Sequence, residues 1–261
     1  MGLSDLLSKE GRARRGLQKT IQRASDKHAQ SIDRWKALEQ LRDDGGEEAT
    51  VGLLRRFSFN YDKTIEDEQE KEWVYETLSI MGAKVLPALR KYMRDTETLA
   101  WPLKILERVS KGETFLDTLR TLCEWNDNSY VRDPSKKIQL VHFLGEHRSP
   151  AIAALIVPYL EDVDEGVRFN AVEALLFQLS GKGDDSAESA GLRDAVLPPL
   201  VQLLGNKSEE SRRIKVRMVE GLAEVGLPLG ELAGQVEKAI SELDIDARID
   251  REKRVKLASA K

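Results

Sequence analysis

Imidazoles, a lone thiol and clustered charges are the groups in this chain that could do chemistry. His28, His142 and His147 are its only histidines. His142 and His147 stand five residues apart, which turns their rings about 140° from one another on a helix and keeps them from sharing a metal ion. No HExxH pair, Gly-rich phosphate loop or nucleophile elbow occurs. Gly181-Lys182-Gly183 falls in a polar stretch, Ser180 to Ser189, that lacks the preceding strand a nucleotide site requires and reads as an insertion loop. Cys123, flanked by Leu122 and Trp125, reads as a small buried apolar residue. As the only cysteine it excludes an internal disulfide and any Cys-based metal cluster. No catalytic, cofactor-binding or metal-ligating residue is therefore expected, and the chain reads as a non-enzyme.

Charge offers binding chemistry instead. Residues 1–30 hold seven cations against three carboxylates, a formal +4 that leaves −8 for the rest of a chain whose total is −4. Arg12, Arg14, Arg15, Lys19 and Arg23 are the candidate partner-binding residues here. With Leu3, Leu6, Leu7, Leu17 and Ile21 as a sparse apolar stripe, the segment could cap the fold, dock on a partner, lie on an anionic membrane or touch nucleic acid. A second candidate group is Arg212, Arg213, Lys215 and Arg217. An acidic counterpart, Glu66, Asp67, Glu68, Glu70 and Glu72, lies far from it in sequence. Trp35, Trp73, Trp101 and Trp125, spaced widely along the chain, are expected to fill space between helices.

Composition limits what can hold these groups. The 261 residues are 33% charged and 41% hydrophobic, enough to bury a sizeable core and incompatible with a disordered chain. Apolar runs such as Ala151 to Val157 are far short of the ~20 residues that cross a bilayer. Met1 to Leu6 contains no apolar leader core, and Leu6 occupies the Ser/Thr position of a myristoylation signal. A cytoplasmic location is expected, with membrane contact open only to the N-terminal helix.

The positioning elements are helices. Apolar residues recur at helical spacing in Trp73, Val74, Leu78 and Met81, in Val85, Leu86, Leu89 and Met93, and in Ile214, Met218, Leu222 and Val225. No sustained alternation marks a strand. Short polar breaks such as Gly45-Gly46 and Gly205-Asn206-Lys207-Ser208 pair the helices: first members over 46–59, 83–94, 111–125, 149–161 and 191–205, second members over 64–82, 97–110, 133–147, 164–180 and 208–226. Pro158 and Pro198-Pro199 predict bends in two first helices. The expected organisation is a basic helical extension over 1–30, repeats over 31–228, and a capping helix with a frayed charged tail over 229–261.

Residues 161–175, Glu-Asp-Val-Asp-Glu-Gly-Val-Arg-Phe-Asn-Ala-Val-Glu-Ala-Leu, resemble the turn and second helix of a HEAT repeat. Ala195 to Leu204, with its Pro198-Pro199 pair, resembles the first helix of such a repeat, and Val85 to Leu89 is a shorter version. The resemblance is specific over 148–226, looser over 83–147, and rests on periodicity alone over 31–82. It implies an all-α fold, a right-handed α-α superhelix or HEAT-like solenoid of about five helical hairpins. It also implies that Arg168 bonds turn carboxylates such as Asp162 and Asp164 of its own or an adjacent repeat. The function it implies is a non-catalytic scaffold or adaptor that binds a protein through a concave helix face. Some HEAT-like proteins are enzymes, including DNA glycosylases and bilin lyases, and that is the alternative. For a glycosylase, Glu107 beside Trp101, Lys104 and Arg108 is the best available carboxylate, and Glu146-His147 has the order opposite to a HEAT-like hydroxylase. The net charge of −4 and a pI near 5.7 disfavour a nucleic-acid groove.

Overall fold

The computed structural model describes residues 9–61, 63–180 and 187–258. Leu3, Leu6, Leu7 and Gly181-Lys182-Gly183 lie outside the described residues. The chain divides into two compact units, Met1–Trp125 and Asn126–Lys261, and both are predominantly helical.

Unit 1 holds α1 (Lys9–Ala24), α2 (Ser31–Asp44), α3 (Glu47–Leu54, continued by a 3₁₀ turn over Arg55–Ser58), α4 (Thr64–Met81), α5 (Leu86–Asp95), α6 (Ala100–Val109) and α7 (Gly112–Trp125). Glycine stops two of these helices. Gly45 takes φ 64° and returns its N–H to the Leu41 carbonyl, and Gly82, also at φ 64°, follows Met81. Trp101-Pro102 stands at a helix start. Pro102 lies in the first turn of α6, where its missing N–H would have had no intrahelical acceptor.

Alternate helices pack on one another: α1 with α3, α3 with α5 and α5 with α7 form one layer, while α2, α4 and α6 form the other. The basic N-terminal helix is part of this stack. Its Ile21 and Ala24 are buried, and Gly52 of α3 admits it, since a Cβ there would stand 2.7 Å from Ile21 Cγ1 and 3.1 Å from Leu41 Cδ1.

Unit 2 repeats the pattern. α8 (Ser135–Gly145), α10 (Glu165–Leu179) and α12 (Arg212–Val225) form one layer. α9 (Pro150–Ile156, continued as 3₁₀ over Val157–Glu161), α11 (Ala187–Gly205) and α13 (Ala233–Leu243) form the other. Side-chain caps open the repeats: Ser149 Oγ accepts from Ile152 N–H, Asp164 Oδ1 from Val167 N–H and Ser211 Oγ from Ile214 N–H. At Pro158 the α-helix gives way to 3₁₀ geometry, because proline removes a donor and crowds the preceding turn. α11 instead runs through Pro198 and Pro199 as one helix, and it begins at Ala187, inside the stretch read as loop.

α10 is closely packed on two flanks. A Cβ on Gly145 of α8 would lie 2.8 Å from Ala174 Cβ and 3.1 Å from its Cα, so no side chain can yield there. Gly145→Ala is therefore expected to cost about 1–3 kcal/mol by forcing α8 and α10 apart. Gly234→Ala, at a glycine with open space around its would-be Cβ, should be neutral or slightly stabilising, both changes being read from urea unfolding followed by circular dichroism.

Two expectations fail. The tail does not fray over its whole length: β1 (Ala247–Ile249) pairs antiparallel with β2 (Val255–Leu257), and Val255 is buried where β2 packs on α12. Asp250 closes the turn by accepting from Glu252 and Arg254 N–H. Three-residue strands are too short to register as periodicity. The tryptophans, expected in the core, sit at its margin. Trp35, Trp73 and Trp101 are half-buried and Trp125 is 40% exposed. They pair laterally, Trp35 edge-on to Trp73 at 5.4 Å and Trp101 stacked on Phe57 at 5.3 Å. A core only two helices thick is filled by Leu, Ala, Ile and Val, and an indole spans it only by reaching an edge.

Candidate functional site

The layer of α8, α10 and α12 in unit 2 presents an open face. On α10, residues four apart line one side: Phe169 and Glu173 are half-buried and Phe177 is 59% exposed. Beside them α12 carries Arg213, Arg217, Glu220 and Glu224, and α8 carries Gln139 and His142, with Glu146 just past its end. Side chains fix the register. The Arg213 guanidinium lies 3.8 Å from the Phe169 ring centroid, and Arg217 bonds Glu173 and, at 3.1 Å, Glu224. The carboxylate of Glu173 holds the Arg217 guanidinium above its ordinary pKa. Charge along this strip is thus largely compensated, and Phe177 is its exposed aromatic.

The four cations predicted as one cluster here divide into two pairs. Arg213 and Arg217 face α10. Arg212 donates to the Leu243 carbonyl at 2.9 Å, the C-terminal end of α13, and Lys215 to the Asn206 carbonyl at 2.8 Å just beyond α11. Both satisfy helix-end carbonyls of the other layer.

Asp162 and Arg168 build the joints between successive helical pairs, and Asp164 caps α10. Asp162 Oδ2 accepts from Lys137 Nζ of the preceding repeat at 2.7 Å, both groups being almost wholly enclosed, while Oδ1 accepts from Asp164 N–H. Arg168 bonds the Asp162 and Val163 carbonyls of its own turn and, at 2.6 Å, the Glu209 carboxylate of the next. Its carboxylate partner is thus a turn residue of the adjacent helical pair, Glu209, and not Asp162 or Asp164 of its own turn.

In unit 1 the five predicted cations of α1, Arg12, Arg14, Arg15, Lys19 and Arg23, are all exposed, because the apolar side of the helix is packed. Arg14 pairs loosely with Glu48 at 3.7 Å, and Arg15 Nε donates to the Gly11 carbonyl.

A buried ionic cluster in the same unit had not been singled out from the sequence. Glu70 accepts from Ser31, Arg34, Tyr61 and, at 2.7 Å, Arg56. Arg56 also donates to Asp67 at 2.6 Å, and Asp67 to complete the set accepts from Lys71 at 2.6 Å. Arg34 and Arg56 lie over the Tyr61 ring at 4.2 and 5.1 Å. Asp67 and Glu70 thus leave the acidic surface group predicted around them, where Glu68 and Glu72 remain exposed. The spacing contained the signal: Asp67, Glu70 and Lys71 continue the buried stripe of Val74, Thr77 and Leu78.

Burial pushes the Asp67 carboxyl up, but hydrogen bonds from Lys71 and Arg56 outweigh it and the pKa falls. Glu209 behaves alike, burial opposing the stronger lowering by Arg168 and the Ser211 N–H. A carboxylate whose folded pKa lies below its unfolded value stabilises the fold above the unfolded value, about 4, and loses that contribution as pH drops through the folded one. Urea midpoints should accordingly be flat from about pH 7 to 5 and drop steeply below about pH 4, with Glu209→Gln shallower in the acid limb.

His142 stands 3.7 Å from Glu146, and His147 Nδ1 lies 2.8 Å from the Phe143 carbonyl. Cys123 is half-buried, less enclosed than expected. Glu107 and Arg108 are exposed on α6, where Lys104 sits 4.9 Å from the Trp101 ring. Among the described residues no group of three or more His, Cys, Asp or Glu side chains is placed to hold a metal ion, and no helix is long and apolar enough to cross a membrane. Neither the models of known protein families nor the curated proteins contain a significant match to this chain.

Proposed function

We propose that this chain is a non-catalytic, HEAT-like scaffold whose helical pairs form a right-handed superhelix and which binds a protein through the open face of α8, α10 and α12. The observation that supports it best is the packing of α10. With α8 and α12 pressed against its flanks through Gly145 and Gly221, the helix is rigid, and its remaining side displays Phe169, Glu173 and Phe177 in fixed register. A partner meeting such a surface loses little of its binding energy to ordering the scaffold. Phe177 supplies an aromatic anchor, and the Arg217–Glu173 and Arg213–Phe169 pairs form a polar surround.

Affinity capture with the full chain tests the reading. Phe177→Glu combined with Arg213→Glu should reduce recovery of a specifically captured protein at least ~10-fold, the loss expected for a central anchor. The melting temperature should hardly change, since neither side chain is in the core. Undiminished capture by the double variant removes this face from the proposal.

A further inference from the structure

Arg55, at the turn that follows α3, lines two concave clefts in unit 1. One, about 630 Å³, is walled by Arg15, Gln18, Lys19 and Gln22 of α1, with Ser25 and Asp26 at its end. The other, about 540 Å³, takes in Ser58, Lys91, Tyr92 and Thr98 together with Asp95 and Glu97. We propose that these clefts receive an acidic, extended peptide segment of a protein partner, with Arg15, Lys19 and Arg55 pairing with its carboxylates.

Geometry supports an extended peptide. Arg15 and Lys19 are one helical turn apart, about 6 Å along the α1 axis. Alternate side chains on one side of an extended chain repeat every ~6.6 Å, so successive odd carboxylates fall within reach of both cations. Gln18 and Gln22 stand on the same side of the helix to bond the peptide backbone. The wall is rigid, because Ile21 and Ala24 are buried beneath it and α3 closes on α1 at Gly52.

The same facts weigh against other anions. A bilayer takes up a helix through its apolar side, and the described apolar side of α1 is already used in packing. A nucleic-acid backbone gains affinity from an uninterrupted series of cations, whereas Asp26, Asp95 and Glu97 break this one. Those carboxylates suit a peptide that carries a basic residue beside its acidic ones.

The inference rests on the scaffold reading in one respect, that the partner is a protein, and it uses a different unit. The test measures binding of a fluorescent (Glu-Ser)₄ peptide to the full chain by anisotropy at low salt, beside a (Lys-Ser)₄ peptide, phosphatidylserine vesicles and a 20-nucleotide single-stranded DNA. The acidic peptide should bind, weaken with salt, and lose at least ~10-fold in affinity in Arg15→Glu/Lys19→Glu/Arg55→Glu. Reversing three other exposed cations of α1, in Arg12→Glu/Arg14→Glu/Arg23→Glu, should cost no more than about 3-fold, as diffuse charge alone predicts. Melting curves confirm folding, and Lys19→Ala/Arg55→Ala, a milder change, should show the same order. Phe177→Glu/Arg213→Glu should leave the peptide bound, so loss of the α10 face and loss of the clefts are read separately. No binding of the acidic peptide, equal losses in the two triple variants, or cleft-dependent binding tighter to vesicles or DNA would overturn the assignment.

Discussion

Replacing Glu70 by Ala should destabilise unit 1 by about 3–5 kcal/mol, the cost of leaving buried cations without their counter-ion. Three cations, Arg34, Arg56 and Lys71, share two carboxylates in this cluster, and Glu70 alone touches both guanidinium groups. Its side chain is fully enclosed, as is that of Arg56, so water cannot take the place of the lost oxygens. Glu68→Ala, two residues away on the exposed side of α4, should stay within about 0.5 kcal/mol of the parent. All four tryptophans lie in unit 1, so urea unfolding followed by indole fluorescence reports on it directly. Equal midpoints for the two variants would show that the cluster is not a structural anchor.

Asp162→Ala should have an effect of similar size in unit 2, again about 3–5 kcal/mol. Lys137 Nζ would keep only the Ser129 carbonyl, and the turn before α10 would lose the oxygen that accepts from Asp164 N–H. Asp164→Ala removes a helix cap and no buried charge, and should cost about 1 kcal/mol. The ratio between these neighbours, read by circular dichroism in urea, separates a repeat-to-repeat joint from a local cap. Two values near 1 kcal/mol would mean that the Lys137–Asp162 pair contributes no more than a surface ion pair.

The helices were legible because two independent local signals coincided. The periods that predicted 64–82, 164–180 and 208–226 correspond to Thr64–Met81, Glu165–Leu179 and Arg212–Val225, whose ends carry Gly82, Asp164, Ser211 and Gly226. Caps and apolar spacing depend on neighbours within a few residues, so one chain suffices to read them. Partnerships across the fold do not work that way. Nothing near Arg168 indicates Glu209, 41 residues on, and nothing near Arg212 or Lys215 indicates that each reaches a helix end in the other layer.

Within the acidic group Glu68 and Glu72 are exposed and Asp67 and Glu70 are buried, a division the sequence does not show, because burying a carboxylate needs cations from α2 and α3 that only the tertiary structure brings close. Arg55 and Arg56 look alike in sequence, an adjacent basic pair, yet the first is exposed between the two clefts and the second is the enclosed centre of the cluster.

The most direct measurement of the scaffold reading is hydrogen exchange on the full chain with and without a captured protein. Slower exchange on binding should concentrate in 138–146, 169–177 and 213–224, the stretches of α8, α10 and α12 that carry the open face. Slowing confined to α9, α11 and α13, with that face unchanged, would contradict it.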